Sequence, residues 1–522
     1  MVEPGEMPSS SPEPFDGMVV NAMIPFQWKD GGLSRGWVSV RDGFIDDAGA
    51  GDPPGHARSK DSIILDADGR YLFPGMIDAH MHLFQWSRSR NAVDLSSCGN
   101  LRSLLSILRE RMNKRDEDPI YRGCGIFIGT NLDLSLFTEG EKLDGRVLDR
   151  TFPDEGVMLQ SVCGHKVIMN RNARERINVE WELPESGVLL EERAMEASWH
   201  MKMDTSSGVL MMEDAISEML RKGVVGGVDI IPESMLKEQQ AVLELMKFLP
   251  RLSTSVILSS DTKLNGSLRC LETWDDFMNA PTGPETGEVI FSKFFMDGSI
   301  GARTASFFRD YEDANSFSPM RSGDEMSENA RSSLDRGLVP MIHAIGDAAV
   351  SRVLEAGETI RGPIRMEHVE AIREKDVPRL DTGEMAICMQ PNFMGRWGME
   401  GELYEKALGS MRLLLNRFST LKKHGRGLLF GSDMMPLSPM FGLESAMSHP
   451  NRNERLDLSE AVEAYTSMAR SFSFPGHLPF SGIEVDQRAD IVIFSMGSQD
   501  SSLTLLGGRM VHTGPDIIMD IG

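Results

Sequence analysis

The chain has 522 residues, with 54 Lys and Arg against 78 Asp and Glu, a formal charge of −24 at pH 7. Such a charge repels phosphate backbones and anionic lipid, no run of Lys or Arg offsets it, and no apolar run approaches the roughly 20 residues of a membrane helix, so nucleic acid and membrane are excluded as partners. With 41% hydrophobic and 25% charged residues, the chain is an ordinary globular one, long enough for one large barrel with additions.

The first stretch, 1–16, is acidic and rich in Pro and Ser, lacks the features of a secretory signal, and is expected to be a disordered tail. Five cysteines, Cys98, Cys124, Cys163, Cys270 and Cys388, are scattered without a C-x-x-C pair, which predicts neither a zinc ribbon nor a disulfide framework and fits a reducing, cytoplasmic location. From Gly17 onward, short apolar runs broken by Gly and Asp (Met18–Val20, Gly36–Val40, Gly43–Ile45, Ser62–Leu65) predict a small β unit. A matching signal returns at Ala489–Phe494 and Leu506–His512. Because few isolated strands are stable alone, the two sets are expected to form one composite β-sandwich domain over 17–72 and 480–522, with 73–479 inserted between them.

The inserted part alternates apolar strand runs with helical patterns, the mark of a parallel α/β architecture. Tyr71–Leu83 reads as one strand ending in His80 and His82, which share a face because strand side chains alternate. Residues 95–207 are too many for a simple crossover and predict an inserted cap subdomain with strands at Gly125–Gly129 and Val157–Val162. Helical spacing over Met211–Lys222 leads to Val224–Ile231. Further strands are predicted at Ser255–Leu258, Val289–Phe295, Leu338–His343, Ile364–His368, Met385–Met389 and Leu428–Asp433. Eight such strands predict a (β/α)8 TIM barrel, whose C-terminal strand ends converge on one active-site face.

His80, His82, Lys293, His343, His368 and Asp433 all stand at such ends. Singly, each has an ordinary explanation: the histidines as hydrogen-bonded core residues, Asp433 as a helix cap, Lys293 as a snorkelling side chain among Phe291, Phe294 and Phe295. Five strands each ending in a possible ligand point instead to a metal site. Imidazole with carboxylate suits Zn²⁺, with Mn²⁺ or Fe²⁺ as alternatives. Gln390–Trp397 follows a strand and reads equally as pocket wall or as a Pro-containing loop.

These residues, together with the motifs Phe73–His82, Gly164–Asn170, Lys293–Ser299, Arg303–Ala305, His343–Asp347, Glu367-His368 and Gly431–Asp433, resemble the amidohydrolase superfamily and, within it, the YtcJ-like group. The resemblance implies a metal-dependent hydrolase of a small-molecule amide-like C–N bond, with amides and N-substituted formamides in its range. It implies that His80, His82 and Asp433 hold one metal, that His343 and His368 hold another, and that Lys293, carboxylated by CO₂, bridges them as a carbamate. Asp433 is then expected to act as general base and acid, His165 to contact the substrate carbonyl, and Asp297 and Arg303 to serve on the substrate side. Cys163 and Arg171-Asn172 depart from the family pattern beside His165, which leaves the substrate open. A mononuclear deaminase without need of Lys293, and a catalytically silent binding protein, are the alternatives. A homodimer is the default expectation.

Overall fold

The computed structural model describes the chain apart from residues 1–13, 26–31, 55–62, 138–141, 162–165, 178, 180, 191, 200, 247–248, 259–263, 267, 269–270, 281–285, 478–481 and 522. It divides into two compact units, one of Leu83–Ile216 with Ile231–Lys247, the other of Pro8–His82, Ser217–Ile230 and Phe248–Gly522.

The larger unit is organised by a parallel sheet of eight strands: β1 (Met76–Met81), β2 (Val224–Pro232), β3 (Arg251–Ile257), β4 (Thr286–Phe295), β5 (Val339–Ala344), β6 (Ile364–His368), β7 (Met385–Met389) and β8 (Gly427–Phe430). Each pairs with its neighbour in chain order, as right-handed crossovers between successive parallel strands produce. Every residue of β1, β2, β6, β7 and β8 is buried, the burial a parallel sheet acquires when both faces are covered. The sheet nearly closes on itself. Beyond β8 the Asp433 N–H donates to the His80 carbonyl at 2.8 Å, and a Cβ on Gly431 would sit 2.4 Å from the His80 nitrogen, so only glycine lets the last strand approach the first this closely.

The same unit contains a nine-stranded sheet drawn from both chain ends. Its strands are Gly17–Ile24, Ser34–Arg41, Phe44–Ala50, Ile63–Asp66, Tyr71–Pro74, Ile491–Phe494, Leu503–Leu506, Arg509–Thr513 and Ile518–Ile521. Val19, Val38, Leu65, Leu72, Ile491 and Leu505 belong to one core cluster, so neither end of the chain closes this core alone. The run Tyr71–Leu83, expected as one strand, is two. Tyr71–Pro74 pairs antiparallel with Ile491–Phe494, while β1 begins at Met76 in the barrel. Gly75 makes the break: its N–H donates to Asp490 O at 2.7 Å, and a side chain there would strike Val225 at 2.4 Å. The expected tail also needs correction at its end. Phe15 is fully buried and its N–H donates to Gly508 O at 2.7 Å, because burying a phenyl ring outweighs the entropy of fixing its few neighbours. The remainder of the tail, 1–13, lies outside the described residues.

The smaller unit is built on a five-stranded sheet, ordered Val93–Asp94, Ile126–Leu132, Gly156–Ser161, Lys166–Met169 and Val188–Leu190. Strand alternation sorts its residues into two cores. Ile126, Ile128, Met158, Val167 and Met169 join one cluster; Val157, Leu159 and Ile168 join the other, as a sheet covered on both faces requires, and Leu132 joins this second cluster past the register shift that follows Gly129. The unit is wider than 95–207. It begins at Leu83 and takes in Leu236–Leu245, the helix after β2, through an ion pair between Arg88 and Glu238. Among the described residues no helix is long and apolar enough to cross a membrane.

Candidate metal centre

The strand ends bring together the six residues the sequence singles out. His80 lies in β1 and His82 just beyond it, Lys293 in β4, His343 in β5, His368 at the end of β6 and Asp433 past β8. All six line one cavity of about 370 Å³. His368 and Asp433 adopt left-handed backbone conformations, φ +72° and +50°, which cost non-glycine residues free energy and persist only where the surroundings enforce them. At Asp433 the enforcing group is Asp78, whose carboxylate accepts the Ser432 N–H at 2.9 Å, the Ser432 hydroxyl and the His80 N–H.

Three of the imidazoles have one nitrogen committed to the protein, which fixes the role of the other. His80 Nδ1 donates to Glu367 Oε2 at 2.5 Å, and Glu367 is itself held by Arg365 Nε at 2.6 Å. His82 Nδ1 donates to the Ile230 carbonyl at 3.0 Å. His343 Nε2 donates to the Gly298 carbonyl at 3.0 Å. A carbonyl only accepts, so the proton must sit on those nitrogens and the opposite lone pairs are bare. The Nε2 atoms of His80 and His82 then face Asp433 Oδ1 at 3.7 and 3.1 Å. This is the arrangement in which an outer acceptor sets tautomer and ring orientation for a metal-ligating histidine.

Electrostatics keep the nitrogens of His80, His343 and His368 available, whereas at His82 burial is overcome by the Asp433 hydrogen bond and charge, which favour protonation. Burial, then the charge of Lys293, lowers His80 to about 4 and His343 to about 3, while burial with the neighbouring His343 and His80 pushes His368 well below its ordinary value. Burial opposes the charge on Glu367, yet Arg365 and His80 overcome it and hold the carboxyl at about 2. Burial likewise opposes ionisation of Asp433, but the His82 hydrogen bond and the charges of His80, His82 and Lys293 keep it below the carboxylate range. Lys293 is lowered by burial to about 8.

The donor set fits a divalent metal. Single ligand atoms of His80, His82 and Asp433 lie within 4.8 Å of one another, two nitrogens and an oxygen of the kind zinc prefers. Among the described residues, Lys293 Nζ and His368 Nδ1 are buried with no hydrogen-bond partner. Two such orphans beside that cluster are costly unless a ligand satisfies them.

The other expected residues fall elsewhere. His165 lies outside the described residues. Asp297 is buried and spends its carboxylate on the backbone N–H groups of Ser306, Ile345 and Gly346 at 2.8, 3.0 and 2.8 Å; burial raises it to about 7. Arg303 is bound in a two-pronged pair to Asp313 at 2.7 Å on both prongs. Neither lines the cavity, although the loop between them does so through Ser299, Ile300 and Gly301. Gln390–Trp397 resolves in favour of pocket wall, as a helix with Pro391 in its first turn whose Phe393 and Trp397 line the cavity.

Sequence reading passed over the roles of Arg365, Glu367, Glu370 and Tyr404. Opposite charges two apart inside the apolar run of β6 were the available signal for the first two, since buried charges occur paired. Glu370 is buried in the cavity wall, bonded by Tyr404 and Asn416, and burial raises it to about 7. Nothing local in the sequence marked it.

Comparison with known proteins finds relatives along most of the chain. The putative amidohydrolase YtcJ of Bacillus subtilis is 24% identical over 442 residues, covering 77% of this chain and 80% of the relative. The N-substituted formamide deformylase of Arthrobacter pascens is 22% identical over 485 residues, covering 85% and 87%. A crystal structure of an uncharacterized metal-dependent hydrolase from Pyrococcus furiosus shares the fold, with a TM-score of 0.71 at 22% identity over 92% of this chain and 98% of that one. Since the amidohydrolase family itself matches across residues 64–512, most of its length, the chain belongs to the amidohydrolase family and is a hydrolase.

Proposed function

We propose that the chain is a metal-dependent hydrolase that splits an amide-like C–N bond of a small molecule, with N-substituted formamides in its substrate class. The observation that carries this reading is the set of six donors on one cavity, with three of the four imidazoles oriented by protein acceptors. The similarity to a formamide deformylase over most of both chains supports the choice of bond. His80, His82 and Asp433 would hold one divalent ion, zinc first by donor type, and His343 and His368 a second, with Lys293 between them as the carbamate its amine forms with CO₂. Bound divalent ions supply Lewis-acid activation of water and of the substrate carbonyl.

Asp433 is the proton carrier. It takes the proton of the attacking water and returns it to the leaving nitrogen, so that amide plus water gives acid plus amine. Asp78 and the His80 carbonyl hold Asp433 in its strained conformation, which aims the carboxylate without reorganisation. Ile300, Phe393 and Trp397 give the cavity an apolar wall. Asp297 and Arg303 act on substrate indirectly, by bracing the loop that carries Ile300, and His165 remains the proposed contact to the carbonyl oxygen. In this reading the sheet from both chain ends is a β-sandwich and the smaller unit an inserted subdomain.

A deaminase with one metal has no use for an amine at this depth, and Lys293, 2% exposed with its Nζ unpaired, favours the two-metal reading. The test is amine release from a panel of N-substituted formamides, linear amides and cyclic amides by zinc-loaded protein. Turnover of at least one class, abolished in Asp433→Asn with the fold retained by circular dichroism, is expected. Undiminished turnover by D433N would overturn the mechanism.

A further inference from the structure

Glu370 stands two residues beyond His368, 3% exposed, in the wall of the same cavity. Its neighbours hold it from one side. Tyr404 Oη–H and Asn416 Nδ2, the latter at 3.4 Å, both donate to Oε2, and the Asn416 N–H takes the Glu370 carbonyl at 2.7 Å. Among the described residues Oε1 receives no hydrogen bond, so an oriented acceptor is left over in a residue that lines the cavity. A chain of rings leads away from its partner Tyr404 along the cavity lining: Trp397 lies 6.2 Å from Tyr404, and Phe393 lies 4.9 Å from Trp397, centroid to centroid.

A carboxylate accepts hydrogen bonds and attracts positive charge, and aromatic faces attract cations through their quadrupole. An acidic group on a substrate meets neither. Among the described residues lining the cavity, Lys293 is the sole Lys or Arg, and it stands with the metal ligands, so nothing in this wall receives a substrate carboxylate.

We infer that Glu370, with the rings of Phe393, Trp397 and Tyr404, forms a subsite for a protonated amine carried on an apolar arm of the substrate. The inference rests on the reading of this cavity as the substrate site. Glu370 is a specificity residue in this scheme: its Oε1 accepts an N–H of the ammonium group, and the rings enclose the adjoining carbon.

The experiment compares benzylamine with benzyl alcohol, two probes of the same shape that differ in charge, by isothermal titration calorimetry on zinc-loaded protein. Wild-type protein is expected to bind the amine at least about tenfold more tightly, the scale of one charge-assisted hydrogen bond. Glu370→Gln is expected to cut that preference by about tenfold while leaving the alcohol's affinity unchanged; any bond from the amine to zinc is common to both proteins and cancels in this comparison. Trp397→Leu, on a partly exposed side chain, is expected to weaken the amine selectively by a few-fold. Equal affinities in wild type overturn the inference, and that comparison needs no variant. A preference undiminished in E370Q, or an equal loss for both probes, also overturns it, since either makes the carboxylate a purely structural group. Binding is measured without turnover, so an absence of hydrolysis would count against the proposed reaction and leave this result standing.

Discussion

Exchange of Glu367 for Gln tests how the centre is wired. The substitution keeps side-chain size and removes the charge lying between Arg365 and His80, both side chains of the ion pair being fully buried. Arg365 retains its bond to the Ala79 carbonyl at 2.6 Å but loses its counter-charge, and breaking a buried pair from one side costs about 3–5 kcal/mol. A second effect follows from hydrogen-bond direction. The new carboxamide oxygen is taken by Arg365, so its NH₂ group faces His80 and donates. His80 Nδ1 must then accept and Nε2 carry the proton, on the side that faces Asp433 at 3.7 Å. The lone pair needed for a metal is gone, and losses of this outer kind amount to about 10–100-fold in metal affinity. Urea unfolding of metal-free protein and zinc titration against a competing chelator read the two effects separately. Adding Arg365→Met should restore much of the stability and, because the carboxamide is then free to turn its oxygen to His80 Nδ1–H, part of the zinc affinity as well. Wild-type zinc affinity in E367Q would refute the tautomer argument.

Lys293→Met removes an unpaired buried amine, so the metal-free protein should unfold at higher urea, by about 1–3 kcal/mol, while zinc content measured by plasma emission falls from two ions to one; unchanged zinc content would rule out a bridging role. Gly431→Ala places a Cβ 2.4 Å from the His80 nitrogen, and is expected to abolish zinc binding by displacing His80, with far-ultraviolet circular dichroism little altered. The pH dependence has a defined sign. Burial opposes protonation of His82, but the Asp433 hydrogen bond and charge raise it above its ordinary 6.5, whereas burial keeps His80 neutral down to about pH 4. The His82–Asp433 pair therefore stabilises metal-free protein below pH 6.5 and ceases to do so as pH rises through the raised folded value. Zinc competes with that one proton, so its affinity should climb by about tenfold per pH unit over the acid side and flatten above the folded pKa; a flat profile from about pH 5 upward would contradict this.

Much of the centre was legible because a parallel barrel puts functional groups at strand ends, and strand ends are what apolar runs mark in a sequence. That rule alone pointed to His80, His82, Lys293, His343, His368 and Asp433, which the fold gathers on one cavity. What the rule misses is anything set by partners distant in the chain. Glu367 and His80 are 287 residues apart, and only the closed sheet makes one the orienting acceptor of the other. Asp297 drew attention as an acid in a turn beside Lys293, yet its carboxylate is consumed by three backbone N–H groups, a use no local pattern separates from substrate binding. The split of Tyr71–Leu83 into strands of two sheets was hidden for a related reason: both halves are buried and apolar, and the break at Gly75 comes from the approach of Val225 and Asp490.

The central claim, that these strand ends form a divalent-metal centre, is tested most directly by anomalous diffraction at the zinc edge from crystals of zinc-loaded protein. The account predicts one peak bonded to His80 Nε2, His82 Nε2 and Asp433, a second bonded to His343 and His368, and density joining Lys293 Nζ to both. A zinc-loaded crystal with no peak in contact with His80, His82 and Asp433 would contradict it.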